Sequence, residues 1–407
     1  MDVFRIALLG VGVAGAILRP FRIPSWVLPL GSALLVVATG AISLSGARHA
    51  ITPLADPIGF LLAAVPLAVL LDRLGFFRSL AQVMTQGGRG DGGLWILAAL
   101  VTTVLNLDAA VVLLTPLYVR LARQTGRDPL TLASQPVLLA CLASSALPVS
   151  NLTNLIAASW TSAGTLEFVT HLAVPSLAAT AVGWGFYRRV SARQPRTAPQ
   201  PVSDATALRS EAPASAHEHR RAITQGGVVV ALVLVGFVAG EQVGIQPWMV
   251  ALGADGVLVV IVRKVPWGDI PWTTAVLALS LGVLAASAVL NVNVGQVVGG
   301  TSAASLARTI GVTALGANVI NNLPALLVSL PAVGHHHTSA LWAVLIGVNM
   351  GPVLLSTGSL ASLLWLDTLN RLDVAARPRD FTRVGLRVGL PAAVAGAGVF
   401  LAINALG

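Results

Sequence analysis

The chain has 407 residues, of which 55% are hydrophobic and only 10% charged, and its mean hydropathy is +0.82. A soluble domain carries about 25% charged residues, so this composition excludes a water-soluble globule and makes lipid the solvent. The net charge of +9 and pI near 11.3 do not signal nucleic acid, because the arginines fall between apolar runs without aromatic interleaving, which is the positive-inside pattern.

Apolar segments follow one another at about 4–18, 24–44, 54–72, 94–119, 131–163, 167–187, 223–240, 247–262, 270–290, 303–333, 339–366 and 384–406. Runs of roughly 20 apolar residues suffice to cross a hydrocarbon core of about 30 Å. Backbone groups in lipid must be satisfied within the segment, so runs of this length are helices and not barrel strands. The expected fold class is an all-α polytopic membrane protein. The first span follows Asp2 and Arg5 directly, and no cleavage site of a signal peptide is expected.

Charge sets the topology. Basic clusters lie at Arg19/Arg22, Arg73/Arg78/Arg89, Arg120/Arg123/Arg127, along 188–221, at Arg263/Lys264 and over Arg371–Arg387. Twelve full crossings would put Arg73–Arg89 and Arg120–Arg127 on opposite faces, against the positive-inside rule. If 94–119 and 303–333 are instead re-entrant helical hairpins, entering from opposite faces, every cluster becomes cytoplasmic. Only Arg5, Arg48 and Arg308 then lie outside. Each half keeps five crossings and one hairpin, an odd count, so the second half is inverted relative to the first, as in many secondary transporters. The halves are expected at 1–187 and 223–407. The stretch 188–222, rich in Pro, Ala, Ser and Arg, reads as a disordered cytoplasmic linker.

An internal echo supports duplication. "NLDAAVVLLTP" (106–116) lies over "NNLPALLVSLP" (321–331), matching Asn106 to Asn321, Ala110 to Ala325 and Pro116 to Pro331. Further on, "NLTNLIAASW" (151–160) is laid over "STGSLASLLW" (356–365), matching Leu155 to Leu360 and Trp160 to Trp365. Both later stretches carry helix breakers: "SALPVSNLTN" (145–154), and "NMGPVLLSTGS" (349–359) with Gly351, Pro352 and Gly358. Two hairpin tips and two broken helices are therefore expected to meet near the bilayer midplane. Broken helices expose N–H and C=O groups, tolerable in a membrane only where they line a cavity or are buried in protein. Asn, Ser and Thr side chains there bond a substrate or satisfy those helix ends. Asp108 costs on the order of 3 kcal/mol at mid-membrane and is a functional candidate by default. Its alternative role is to cap a half-helix.

These stretches, with "PVSNLTNLIAA" and "GANVINNLPALLV", resemble the arsenite/antimonite efflux permeases of the ArsB type. These belong to the ion transporter superfamily, with the sodium–dicarboxylate symporters and NhaD-type sodium/proton antiporters. The resemblance covers nearly the whole chain outside the linker, and "NNLPA" and the "GP…TGSLASLLW" run carry it most specifically. At the first tip the order is Asn106-Leu107-Asp108, where the permeases tend to read Asn-Asp-Gly. The paired Ser-Asn-Thr motifs of the dicarboxylate symporters are absent.

The resemblance implies a secondary carrier of the cell membrane working by alternating access, and no enzyme. Its solutes would be arsenite and antimonite as neutral hydroxides, bound by Asn106, Asn151, Thr153, Asn154, Asn321, Asn322, Ser356, Thr357, Gly358 and Ser359. Asp108 would carry a proton inward, because burial disfavours a carboxylate's charged form. A sodium-coupled symporter or sodium/proton antiporter of the same superfamily is the alternative. No cofactor is expected. Cys141 stands alone, so three-thiol capture of arsenic is excluded. No Walker-type loop is present, and an ATPase partner rests on family analogy alone.

Other polar residues have plainer readings. His335-His336-His337 is expected to be a solvated loop, and Asp255 a packing kink beside Gly253 and Gly256, with a second titrating site as the alternative. Asp56 and Glu241 read as interface charges, and Asp72 as an ion-pair partner of Arg73. Most of the nine Trp residues fall near span ends, as interfacial anchors.

Overall fold

The computed structural model describes residues 2–19, 23–85, 90–194, 216–289, 294–334 and 339–406, and among these it contains no strand. The first half begins with α1 (Asp2–Leu18), α2 (Val27–Ala38) and α3 (Leu44–Ile51), which passes through a 3-10 turn into α4 (Ala55–Arg73). Then come α5 (Phe76–Thr85), α6 (Gly90–Val104), α7 (Leu107–Thr125), α8 (Pro129–Leu142), α9 (Leu152–Thr161) and α10 (Thr165–Ser191). The second half opens with α11 (Ala216–Gln242), α12 (Pro247–Val262) and α13 (Trp272–Val289). It continues through α14 (Ala303–Ile320), α15 (Asn322–Val333), α16 (Ser339–Met350) and α17 (Leu360–Arg371). It closes with α18 (Pro378–Val384), a π turn at Gly385–Gly389 and α19 (Leu390–Leu406). Six of the described helical stretches are long and apolar enough to cross a membrane.

Within 94–119 and 303–333 the chain forms two helix pairs, α6–α7 and α14–α15, each turning at an asparagine. Both expected breaks form too, between α8 and α9 and between α16 and α17. The sequence reading placed other edges differently. The amphipathic helix α5, which buries Phe76, Phe77, Ser79 and Ala81, was not anticipated. Helices α10 and α11 extend into the ends of 188–222, because Arg and Glu are good helix formers once a helix is under way. Residues 195–215 of that linker, and His335–His337, lie outside the described residues.

Packing runs in reciprocal pairs across the halves. Helix α2 lies against α13 while α12 lies against α4, and α10 lies against α19. One apolar core gathers the α6–α7 hairpin with Trp365, Leu366 and Leu369 of α17. The other gathers the α14–α15 hairpin with Leu152, Ile156 and Ala157 of α9. Each hairpin thus packs against the second half-helix of the other half. Small residues permit the closest crossings, as in membrane bundles generally. A Cβ on Gly347 of α16 would strike the Thr313 hydroxyl of α14, and one on Gly385 would strike the Val353 carbonyl.

Candidate functional site

The two hairpin tips use one device. Asn106, in extended backbone, accepts the Asp108 N–H at 2.8 Å and caps α7. Asn321 accepts the Leu323 N–H at 3.3 Å and caps α15. Asn321 does this at φ +77° and ψ 153°, outside the left-handed helical region and in one that glycine alone adopts readily. Its amide nitrogen also donates to the Thr357 carbonyl at 3.1 Å, holding the turn in place.

The two breaks correspond as closely. Residues 148–150 and 356–358 form matching 3-10 turns, followed by caps at Asn151 for α9 and Ser359 for α17. This corrects the register read from sequence by three residues. "LPVSNLTNL" (147–155) lies over "LSTGSLASL" (355–363), so Asn151 matches Ser359 and Trp160 has no counterpart in Trp365.

Each hairpin is clamped to its own broken helix by the residue three before its tip. In the first half the Thr103 hydroxyl donates to the Ala143 carbonyl at 3.0 Å, and the Thr103 carbonyl accepts the Ser150 hydroxyl at 2.6 Å. In the second, the Asn318 amide donates to the Gly351 carbonyl at 2.8 Å, and its carbonyl accepts the Thr357 hydroxyl at 3.0 Å. The Asn318 side-chain oxygen further accepts the Leu355 N–H at 2.9 Å. The Ala143 and Gly351 carbonyls and the Leu355 N–H, freed by the breaks, are thereby satisfied by protein side chains, as burial in a bilayer favours.

Asn349, the next-to-last residue of α16, joins the halves. Its side-chain oxygen accepts from the Asn151 amide at 3.0 Å and from the Thr153 hydroxyl at 2.6 Å. Its nitrogen donates to the Asn154 side-chain oxygen at 2.7 Å and to Ser145 at 3.3 Å. Asn154 in turn donates to the Ser144 and Leu147 carbonyls. Hydrogen bonds therefore run from the first hairpin through both breaks to the second. Every partner is an amide, a hydroxyl or a backbone group, and no Lys or Arg enters.

Of the residues expected from sequence, Asn151, Thr153 and Asn154 converge on the Asn349 side chain, and Asn321 meets Thr357. Asn106 sits at its tip with its side-chain oxygen turned back on its own helix. Ser359 bonds the Ser362 hydroxyl at 2.8 Å, and Gly358 packs against Pro352. Asn322 is buried as the first residue of α15, and Ser356 is buried in the turn. Asn318, Asn349, Thr103 and Ser150 were missed. Asn349 stood within the quoted "NMGP", and Asn318 three residues before the tip, but single polar residues inside an apolar run carry no periodic signal.

Asp108 stands in the first turn of α7, and its Oδ1 is buried without a hydrogen-bond partner among the described residues. The capping role belongs to Asn106. Asp255 is buried in the middle of the continuous helix α12, and its Oδ1 is likewise unpartnered among those residues. The plainer readings need correction at one charge. Arg73 pairs with Asp269 at 2.7 Å, not with Asp72. Glu241 accepts the Thr165 N–H at the start of α10, and Asp56 accepts the Trp248 indole N–H at 3.1 Å.

The family model described as a citrate transporter, CitMHS, matches residues 13–355, taking in both hairpins and the first break. The chain is 29% identical over 363 residues to the arsenical pump membrane protein of Yersinia enterocolitica, covering 81% of this chain and 82% of that one. It is 28% identical over 403 residues to the arsenical pump membrane protein of Escherichia coli K12, covering 90% of each. Among solved structures it is similar to the Alcanivorax borkumensis YdaH transporter, with TM-score 0.52 and 13% identity over 93% of this chain and 96% of that one, a likeness of fold. These findings agree with the permease resemblance read from the tips and breaks. The chain belongs to the CitMHS transporter family and is a multi-pass secondary transporter of the membrane, not an enzyme.

Proposed function

We propose that the protein exports arsenite and antimonite as uncharged trivalent hydroxides, driven by protons moving inward. One observation carries this reading: the network joining the two breaks is built wholly of neutral donors and acceptors. A small polyol-like solute can exchange hydrogen bonds with Asn151, Thr153, Asn154, Asn349 and Asn321 without leaving a charge unpaired. A tricarboxylate such as citrate would bring several negative charges, which are costly to bury unless paired. The names of the relatives point the same way. The family's description favours a second reading, a sodium-coupled carrier of an organic anion, and that reading requires a cation the network lacks.

The two halves act as inverted copies around this network. The matched caps, the matched clamps and the reciprocal packing support that arrangement. So does length: α15, with 12 residues, rises only about 18 Å against a hydrocarbon core of about 30 Å. It dips in and turns back. The arginine-rich ends and the linker then face the cytoplasm. Asp108, beside the first tip and without a fixed partner, takes up and releases the coupling proton. Each proton moving inward supplies about 2.3 kcal/mol per 100 mV of membrane potential.

Cells lacking their own metalloid export should gain arsenite tolerance when they make this protein. Everted vesicles from those cells should accumulate arsenite when a pH gradient is imposed. Unchanged tolerance together with sodium-dependent citrate uptake would reject the proposal in favour of the second reading.

A further inference from the structure

A crevice of about 560 Å³ opens on the side of the bundle between α14, α16 and α19. Its walls are apolar, and it reaches inward to Asn318 and Leu355, at the clamp of the second hairpin. The matching place in the first half is filled by aromatic rings. Trp95 precedes the tip Asn106 by as many residues as Ile310 precedes Asn321. Trp184 follows Gly183 as Ala397 follows Gly396, and these glycines rest against Leu142 and Met350, the last residues of α8 and α16. The Trp95 and Trp184 ring centroids lie 6.0 Å apart. In the second half an isoleucine and an alanine stand at the same two positions, both lining the crevice. Part of the volume those rings occupy is left for something else.

Charge at one end indicates what fills it. Along the last helix the lining runs through Ala397, Val394, Leu390, Leu386 and Thr382. The same helical stripe continues to Arg379, with Arg383 beside it and Arg387 next to Leu386. All three arginines are exposed. Among the described residues Arg379 and Arg387 have no ion-pair partner, and Arg383 has only a 3.4 Å contact with Asp380. An apolar slot ending in three cations complements a fatty-acyl chain that carries an anionic headgroup.

We propose that this crevice binds one anionic phospholipid. Its acyl chain lies between α14 and α19, running past Asn318 to Ile310 and Ala397, and its phosphate lies at Arg379, Arg383 and Arg387. The lipid supplies the packing that Trp95 and Trp184 supply in the first half, and so backs the second hairpin where it is clamped to α16.

The test uses the full chain, delipidated in detergent, titrated with phosphatidylglycerol or phosphatidylcholine and read by native mass spectrometry. The unaltered protein should hold one phosphatidylglycerol in preference to phosphatidylcholine. Arg379→Gln with Arg383→Gln should weaken phosphatidylglycerol roughly fivefold per arginine and leave phosphatidylcholine unchanged. Ile310→Trp with Ala397→Trp, which rebuilds the first half's filling, should abolish the retained lipid. Equal affinity for the two lipids overturns the proposal, as does unchanged phosphatidylglycerol retention in the arginine variant. If the tryptophan variant fails to fold, the arginine variant, altered only at exposed positions, still decides. Loss of a two-chain species instead of a lipid adduct in the tryptophan variant would assign the crevice to a second copy and also overturn it.

Discussion

Asn349 concentrates the site's energetics in one side chain. It makes four side-chain hydrogen bonds in a region closed to water. Truncation would leave Asn151, Thr153 and Asn154 with buried polar atoms unpaired, each costing about 1–3 kcal/mol. Asn349→Ala should therefore lower the detergent melting temperature by several degrees and cut arsenite uptake more than tenfold, both readable on one preparation. Asn321→Gly makes the companion test at the second hairpin tip, because glycine accepts φ +77° without strain. That variant should fold close to normally yet lose uptake, since the amide that reaches Thr357 is gone. The sequence disclosed these tip and turn residues because amides inside an apolar run are conspicuous. It hid Asn349, since nothing along the chain tells which turn a lone asparagine will face.

At the level of elements, packing is governed by where backbones touch. Helices α14 and α16 approach so closely at Gly347 that a methyl group would displace the Thr313 hydroxyl and press on the Ile310 carbonyl. Gly347→Ala should drive the helices apart and destabilise the second hairpin by about 1–3 kcal/mol. Limited proteolysis of 303–333 would report that loosening, and an unchanged cleavage rate would contradict it. The Arg73–Asp269 pair, by contrast, joins half-exposed side chains and contributes no more than about 1 kcal/mol. Hairpins and breaks were legible because each is announced by an asparagine or a Pro/Gly cluster within an apolar run. Helix α5 was not, since ten residues with two phenylalanines give too short a pattern to separate from a loop. Aligning Trp160 with Trp365 puts the second echo three residues out of register. The caps, which hydrogen bonding fixes, were the better guide.

For the whole molecule the central matter is coupling. If Asp108 carries the proton, Asp108→Asn should retain exchange of labelled for unlabelled arsenite across vesicles while losing accumulation driven by a pH gradient. Retained accumulation would remove Asp108 from that role. The helical, lipid-embedded character of the protein follows from composition alone, and the duplication we propose rests on two polar echoes. How the halves are fastened together was not readable, because those bonds join residues almost two hundred positions apart. They also expose a difference between the copies. Cys141 occupies in α8 the place that Asn349 occupies in α16, next to last before the break. A thiol cannot stand in for an amide that both gives and receives, so the fastening is one-sided. A protein assembled from two first halves would keep both hairpins and both turns but have no bolt between them. One assembled from two second halves would carry two bolts and lack the Asn151–Asn154 socket that receives them.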